Sequence, residues 1–182
     1  AQVSGIIEKA RSFMVNDCIC KKEQGILDNP CDKPLEICLA MDPESDAFEN
    51  NRWGGRIITK EQAYEVLRKS EEAGLVHMTS NVESGHWFIC NCCGCCCGMM
   101  RSIKKFDIYD GIVPSNWMAT IDLEVCRGCG TCAKACPTGA ITVEPSNGKG
   151  LRKNWALVDP ARCLGCGVCG DLCRWDAHGM EL

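Results

Sequence analysis

The chain has 182 residues, 46% of them hydrophobic but only 6% aromatic, with 18 cysteines and a formal charge of -4. So few large side chains exclude an extensive conventional core, and bound metal is expected to supply part of the stability. The acidic balance argues against nucleic acid as a partner, and without a signal pattern at the start or an apolar stretch of roughly 18 residues, a soluble chain with no membrane span is expected.

From the N-terminus, Ile6, Ile7, Ala10, Phe13 and Met14 fall on one stripe, which predicts a short amphipathic helix over residues 3–15. Cys18, Cys20, Cys31 and Cys38 follow among Gly25, Asn29, Pro30 and Pro34, turn formers that place these thiols on loops. Residues 41–56 are acidic, turn through Asn50, Asn51, Gly54 and Gly55, and read as a surface connection without chemistry. Thr59 with Gln62 makes a capping box for a helix whose buried stripe is Ala63, Val66 and Leu67; Glu65 and Lys69 pair across one turn and Gly74 supplies the stop. Residues 75–78 then read as a short strand.

The next block concentrates Cys90, Cys92, Cys93, Cys95, Cys96 and Cys97 within eight positions, residues 90–97. Side chains alternate across an extended backbone, so neighbouring cysteines do not readily serve one polynuclear centre, and the block is expected to divide between two sites. Residues 99–106 read as a helical turn or two, and residues 107–116, with Gly111 and Pro114, as the connection between two domains, 1–112 and 113–182.

The second domain contains an internal repeat. Ile121, Asp122, Cys126, Gly128, Cys129, Gly130, Cys132, Cys136 and Ala140 match Val158, Asp159, Cys163, Gly165, Cys166, Gly167, Cys169, Cys173 and Ala177, each 37 positions later. Pseudo-twofold symmetry follows, with short strands at 119–123, 140–143 and 155–158 and a short helix after each cysteine triplet.

Both runs place cysteines at i, i+3, i+6 and i+10. This spacing resembles the bacterial-type dicluster ferredoxin over residues 117–180. The resemblance implies that Cys126, Cys129, Cys132 and Cys173 bind one 4Fe-4S cluster, and Cys163, Cys166, Cys169 and Cys136 the other. A zinc ribbon needs only two CxxC pairs and explains neither the third nor the fourth cysteine of each run. The chain departs from the family pattern twice: Pro137 follows Cys136 but Arg174 follows Cys173, and residues 144–154 form an inserted loop. A cation beside one cluster is expected to raise its potential. GCGVCG (Gly165 to Gly170) also satisfies GxGxxG, yet only 12 residues follow it, too few for a dinucleotide-binding unit.

The ten N-terminal cysteines, clustered rather than spread as in a disulfide framework, are candidate metal ligands: Cys18, Cys20, Cys31, Cys38, Cys90, Cys92, Cys93, Cys95, Cys96 and Cys97. Their arrangement resembles the N-terminal part of anaerobic multi-cluster proteins that also carry a dicluster ferredoxin domain. That implies one or two further iron-sulfur clusters, with zinc as the alternative. Cys92-Cys93-Gly94 also resembles the CCG signature of heterodisulfide-reductase-type subunits, which implies thiol or disulfide chemistry at this block. His77, His86 and His178 stand alone; His86, close before Cys90, is a candidate ligand whose bland reading is a partly exposed side chain. Trp87, Trp117, Trp155 and Trp175 are expected to be buried and to shield clusters.

These readings describe an α+β protein, a small cysteine-rich α+β domain joined to a ferredoxin-like dicluster domain. The leading expectation is an electron carrier or electron-transfer subunit of an anaerobic oxidoreductase, rather than a free-standing enzyme, relaying single electrons through three or four clusters in the cytoplasm of an anaerobe. Its partner would be a redox protein or complex with a basic docking surface. The alternatives are a heterodisulfide-reductase-like enzyme and a redox- or metal-sensing adaptor.

Overall fold

The stripe expected to be one helix over residues 3–15 is divided between two elements: α1 covers Val3–Lys9, and the chain then turns into strand β1, Ser12–Asp17. Phe13, Met14 and Val15 are all buried, so the Phe-Met-Val run serves both faces of a sheet instead of one side of a helix. The computed structural model describes residues 3–48, 54–146 and 153–182. It separates into two units, Ala1–Cys97 and Gly98–Leu182. Helices and strands mix in both, as an α+β chain requires.

In the first unit α2 spans Ile19–Ile26, β2 Glu36–Asp42, β3 Arg56–Ile58, α3 Lys60–Glu72, β4 Val76–Met78 and β5 Phe88–Cys92. The strands form one antiparallel sheet in the order β3-β1-β2-β5-β4. Alternation along β2 sends Ile37, Leu39 and Met41 into the core with Phe13, Val15, Ile58 and Ile89, where α3 covers them through Ala63, Val66 and Leu67. Cys38 and Ala40 therefore point to the other face.

Helix α3 starts as its capping box predicts: Thr59 Oγ1 accepts from the Gln62 NH at 3.3 Å, and Gln62 Oε1 accepts from the Thr59 NH at 3.0 Å. It ends before Gly74, whose φ of +67° suits glycine. The ion pair along its exposed side is Arg68–Glu72 at 2.6 Å, one turn from the expected Glu65–Lys69. The cysteines expected on loops are more regular than that. Cys18 caps α2, Cys20 lies within it and Cys38 sits in β2, leaving Cys31 on the connection. Gly25 did not break α2 because it falls in the last turn; the chain reverses afterwards at Asp28, with φ +58°. Of the acidic connection at 41–56, Met41 belongs to β2 and Phe48 is buried, while residues 49–53 lie outside the described residues.

In the second unit α4 spans Gly98–Phe106, β6 Met118–Ile121, α5 Thr131–Ala135, β7 Ile141–Pro145, β8 Asn154–Val158, α6 Val168–Asp171 and β9 His178–Glu181. The strands make two antiparallel ladders, β6 with β9 and β7 with β8. Under the 37-residue repeat β6 corresponds to β8 and β7 to β9, so each ladder takes one strand from each half. The backbone bonds obey the same symmetry: the Asp122 NH donates to Ala177 O at 2.8 Å, and the Asp159 NH to Ala140 O at 2.7 Å. The middle of the inserted loop at 144–154, residues 147–152, lies outside the described residues.

One buried cluster of this unit brings together Cys126, Cys132, Cys169, Ala119, Ala156, Ala177 and Ile141. Met100, Ile103, Ala140 and Val168 are buried in the same unit besides. Of the tryptophans expected to be buried, Trp155 packs half-buried against this cluster. Trp87, Trp117 and Trp175 are exposed, and Trp175 instead receives the Arg127 guanidinium over its ring at 4.8 Å.

Candidate functional site

Each C-terminal run wraps through two left-handed glycines before a short helix. Gly128 and Gly130 have φ of +62° and +79°, and Gly165 and Gly167 +64° and +81°. Gly130 and Gly167 cap α5 and α6, which turns the following cysteine of each run inward. Gly128 and Gly165 also leave no room for a side chain. A Cβ at Gly128 would collide with the Asn154 carbonyl, and one at Gly165 with the Trp117 carbonyl and the Ser115 hydroxyl. Asn154 and Trp117 are themselves 37 positions apart, so the two loops are braced alike by the opposite half.

The fourth cysteine of the first run is carried across to the second. Cys136, Cys163, Cys166 and Cys169 line one cavity with Pro137, Thr138 and Val168. Burial pushes the Cys166 thiol up to about 11 and the Cys169 thiol up to about 12, and the charges of Cys136 and Cys163 add to both shifts. Backbone donors point at these sulfurs: the Ala140 NH lies 3.2 Å from Cys136 Sγ, the Ala177 NH 3.4 Å from Cys173 Sγ and the Gly165 NH 3.4 Å from Cys163 Sγ. Buried and half-buried thiols around one cavity, a wall that includes Gly167, and NH groups aimed at sulfur fit an iron-sulfur group. In the first run, burial raises Cys132, and Cys126 and Cys129 add to it; Cys129 is lowered by hydrogen bonds from Thr131 and by the charge of Arg174. Arg174, which follows the last cysteine of the second run where Pro137 follows that of the first, thus acts electrostatically on a thiol of the first run.

The N-terminal cysteines fall into two groups. Cys31, Cys93, Cys95 and Cys96 converge, with all four sulfurs within 4.8 Å of one another. The second group is a relay in which Cys38 contacts Cys18 and Cys90, and Cys92 contacts Cys90 and Cys97. Strand geometry explains the division. The β2–β5 ladder pairs Leu39 with Ile89, so its next step sets Cys38 across from Cys90, and Cys92 follows on the same face. Cys93 leaves on the face of the core, beside Cys31. Cys95 and Cys96, neighbours expected to diverge, share one group because residues 94–96 form a turn closed by the Cys97 NH on Cys93 O at 3.1 Å. Cys20 packs at the edge of the same core.

Hydrogen bonding from Cys38 draws the Cys18 thiol down to about 6 against the effect of burial, and Lys21 assists. Cys38 and Cys92 draw Cys90 down to about 3 and are themselves pushed up as donors. Two residues here escaped the reading of the sequence. Lys21 is buried and donates from Nζ to Pro34 O at 2.6 Å, which places a cation beside Cys18. Asn91, fully buried between Cys90 and Cys92, receives His77 and donates to Ile37 O, locking β5 to β2. A lysine after CxC and an asparagine inside CxC were the available signals. His86 takes the bland reading, with its Nδ1 on the Thr79 hydroxyl at 3.3 Å.

No described helix is long and apolar enough to cross a membrane. A search of curated proteins finds no match to the chain. Residues 125–177, which contain both cysteine runs, match the model of the 4Fe-4S dicluster domain.

Proposed function

We propose that this chain is an iron-sulfur electron carrier or electron-transfer subunit of an anaerobic oxidoreductase, working in the cytoplasm beside a redox partner with a basic docking surface. The observation that carries the reading is the cavity in which Cys136 of the first run meets Cys163, Cys166 and Cys169 of the second. It supports the crossed ligand sets: Cys126, Cys129, Cys132 and Cys173 for one cluster, Cys163, Cys166, Cys169 and Cys136 for the other. The relay of Cys18, Cys38, Cys90 and Cys92, flanked by Cys97 and Cys20, supplies donors for a third. A 4Fe-4S group contributes one-electron redox chemistry when bound. The chain's own residues hold the thiolates, direct the Ala140, Ala177 and Gly165 NH groups at sulfur, and set Arg174 and Lys21 as nearby positive charges.

The test is anaerobic iron and acid-labile sulfide analysis with EPR of the reduced protein. About eight irons and eight sulfides belong to the C-terminal runs, and about four of each to the relay. Fewer than about eight irons after full reconstitution overturns the dicluster assignment.

A further inference from the structure

Four thiols that hold one ion must all lie close to one another, whereas four that hold a cube each bind a different iron and do not all converge on one point. A tetrahedral ion with sulfur at about 2.3 Å sets neighbouring sulfurs about 3.8 Å apart. In the first unit Cys31 Sγ lies 3.9 Å from Cys93 Sγ and 3.5 Å from Cys95 Sγ, while Cys95 Sγ lies 3.3 Å from Cys93 Sγ and 3.7 Å from Cys96 Sγ. The eight C-terminal cysteines supply the contrast. None of them, among the described residues, joins a group of three or more with ligand atoms within 4.8 Å of one another.

From this spacing we infer that Cys31, Cys93, Cys95 and Cys96 form a site for a single tetrahedral ion, zinc(II), separate from the iron-sulfur groups. Three of the thiols come from one tight turn after β5 and the fourth from the α2–β2 connection, so the ion ties a loop to the sheet. Four thiols exchange their protons for one divalent ion, and the resulting site has no redox step. It therefore lies outside the electron path and serves as a staple of the first unit. Its sulfurs range from buried Cys96 to exposed Cys95, which leaves the ion an entry route.

The inference rests on the iron-sulfur reading only in assigning the remaining thiols, and one set of measurements keeps the two apart. The full chain is purified without oxygen from cells supplied with both iron and zinc. Zinc-edge X-ray absorption of the unaltered protein should show one shell of four sulfurs at about 2.3 Å with no metal neighbour. Cys31→Ser and Cys95→Ser should each lower zinc at least tenfold, with iron, sulfide and the EPR of the reduced protein unchanged. Loss of iron and sulfide in these variants, or iron without sulfide at this site, overturns the zinc assignment. So does an unaltered protein that contains no zinc bound by four sulfurs, a result that requires no variant to fold. Failure of the dicluster reading would appear instead as missing iron in the unaltered chain, whatever its zinc content.

Discussion

Cys92 and Cys93 are adjacent in the chain, yet their thiols belong to different groups: Cys92 contacts Cys90 and Cys97, while Cys93 lies 3.9 Å from Cys31. Substituting them should therefore have unlike effects. Cys92→Ser is expected to remove about four irons with their sulfides, and Cys93→Ser to remove zinc and leave iron in place. Parallel metal analysis of the two variants checks this, and identical losses would refute the division.

The crossing of Cys136 predicts that damage to one run appears in the other. On the ligand sets proposed above, Cys136→Ala should perturb the cluster assigned to Cys163, Cys166 and Cys169, and Cys173→Ala the one assigned to Cys126, Cys129 and Cys132. Magnetic coupling between two reduced clusters should vanish in each variant. EPR at low temperature reads the loss directly.

Hydrogen bonds from Thr131 lower the Cys129 thiol most and the charge of Arg174 adds to them, and the same charge favours an added electron on the first run. Arg174→Gln should lower the potential of that cluster by roughly tens of millivolts at low salt, and by less at high salt, because the side chain is exposed. A redox titration that finds both clusters unmoved would remove Arg174 from any tuning role.

Gly165 and Gly139 both have positive φ, +64° and +72°, but only Gly165 faces a wall. Gly139→Ala, with open space around it, should cost about 1–2 kcal/mol from backbone strain alone. Gly165→Ala would drive its Cβ into the Trp117 carbonyl and should prevent cluster assembly at the second run. Thermal melts and iron content of the two variants separate strain from collision.

The second unit was largely legible because its determinants are local. Cysteine spacing, left-handed glycines and a repeat at constant offset are read from short windows, and the capping box of α3 is equally local. Residues 12–15 were misread because a Phe-Met-Val run satisfies a helical stripe and a strand alike; only pairing with β2 and β3 decides between them. Strand β9, His-Gly-Met-Glu, carries no alternation of its own and exists because β6 offers it a ladder. The N-terminal sites were hidden for a related reason. Cys31 meets Cys93 across 62 positions of chain, and which face each thiol takes depends on sheet register and on one turn.

The two ladders of the second unit carry a historical consequence. Since β6 pairs with β9 and β7 with β8, a single 37-residue copy would have both strands unpaired and, on the crossed ligand sets proposed above, only three of the four thiols of either site. Such a peptide would acquire edges and ligands only by embracing a second copy of itself. Joined in one chain, the two halves meet that mutual dependence within a single molecule while differing behind the last cysteine, Pro137 in one and Arg174 in the other.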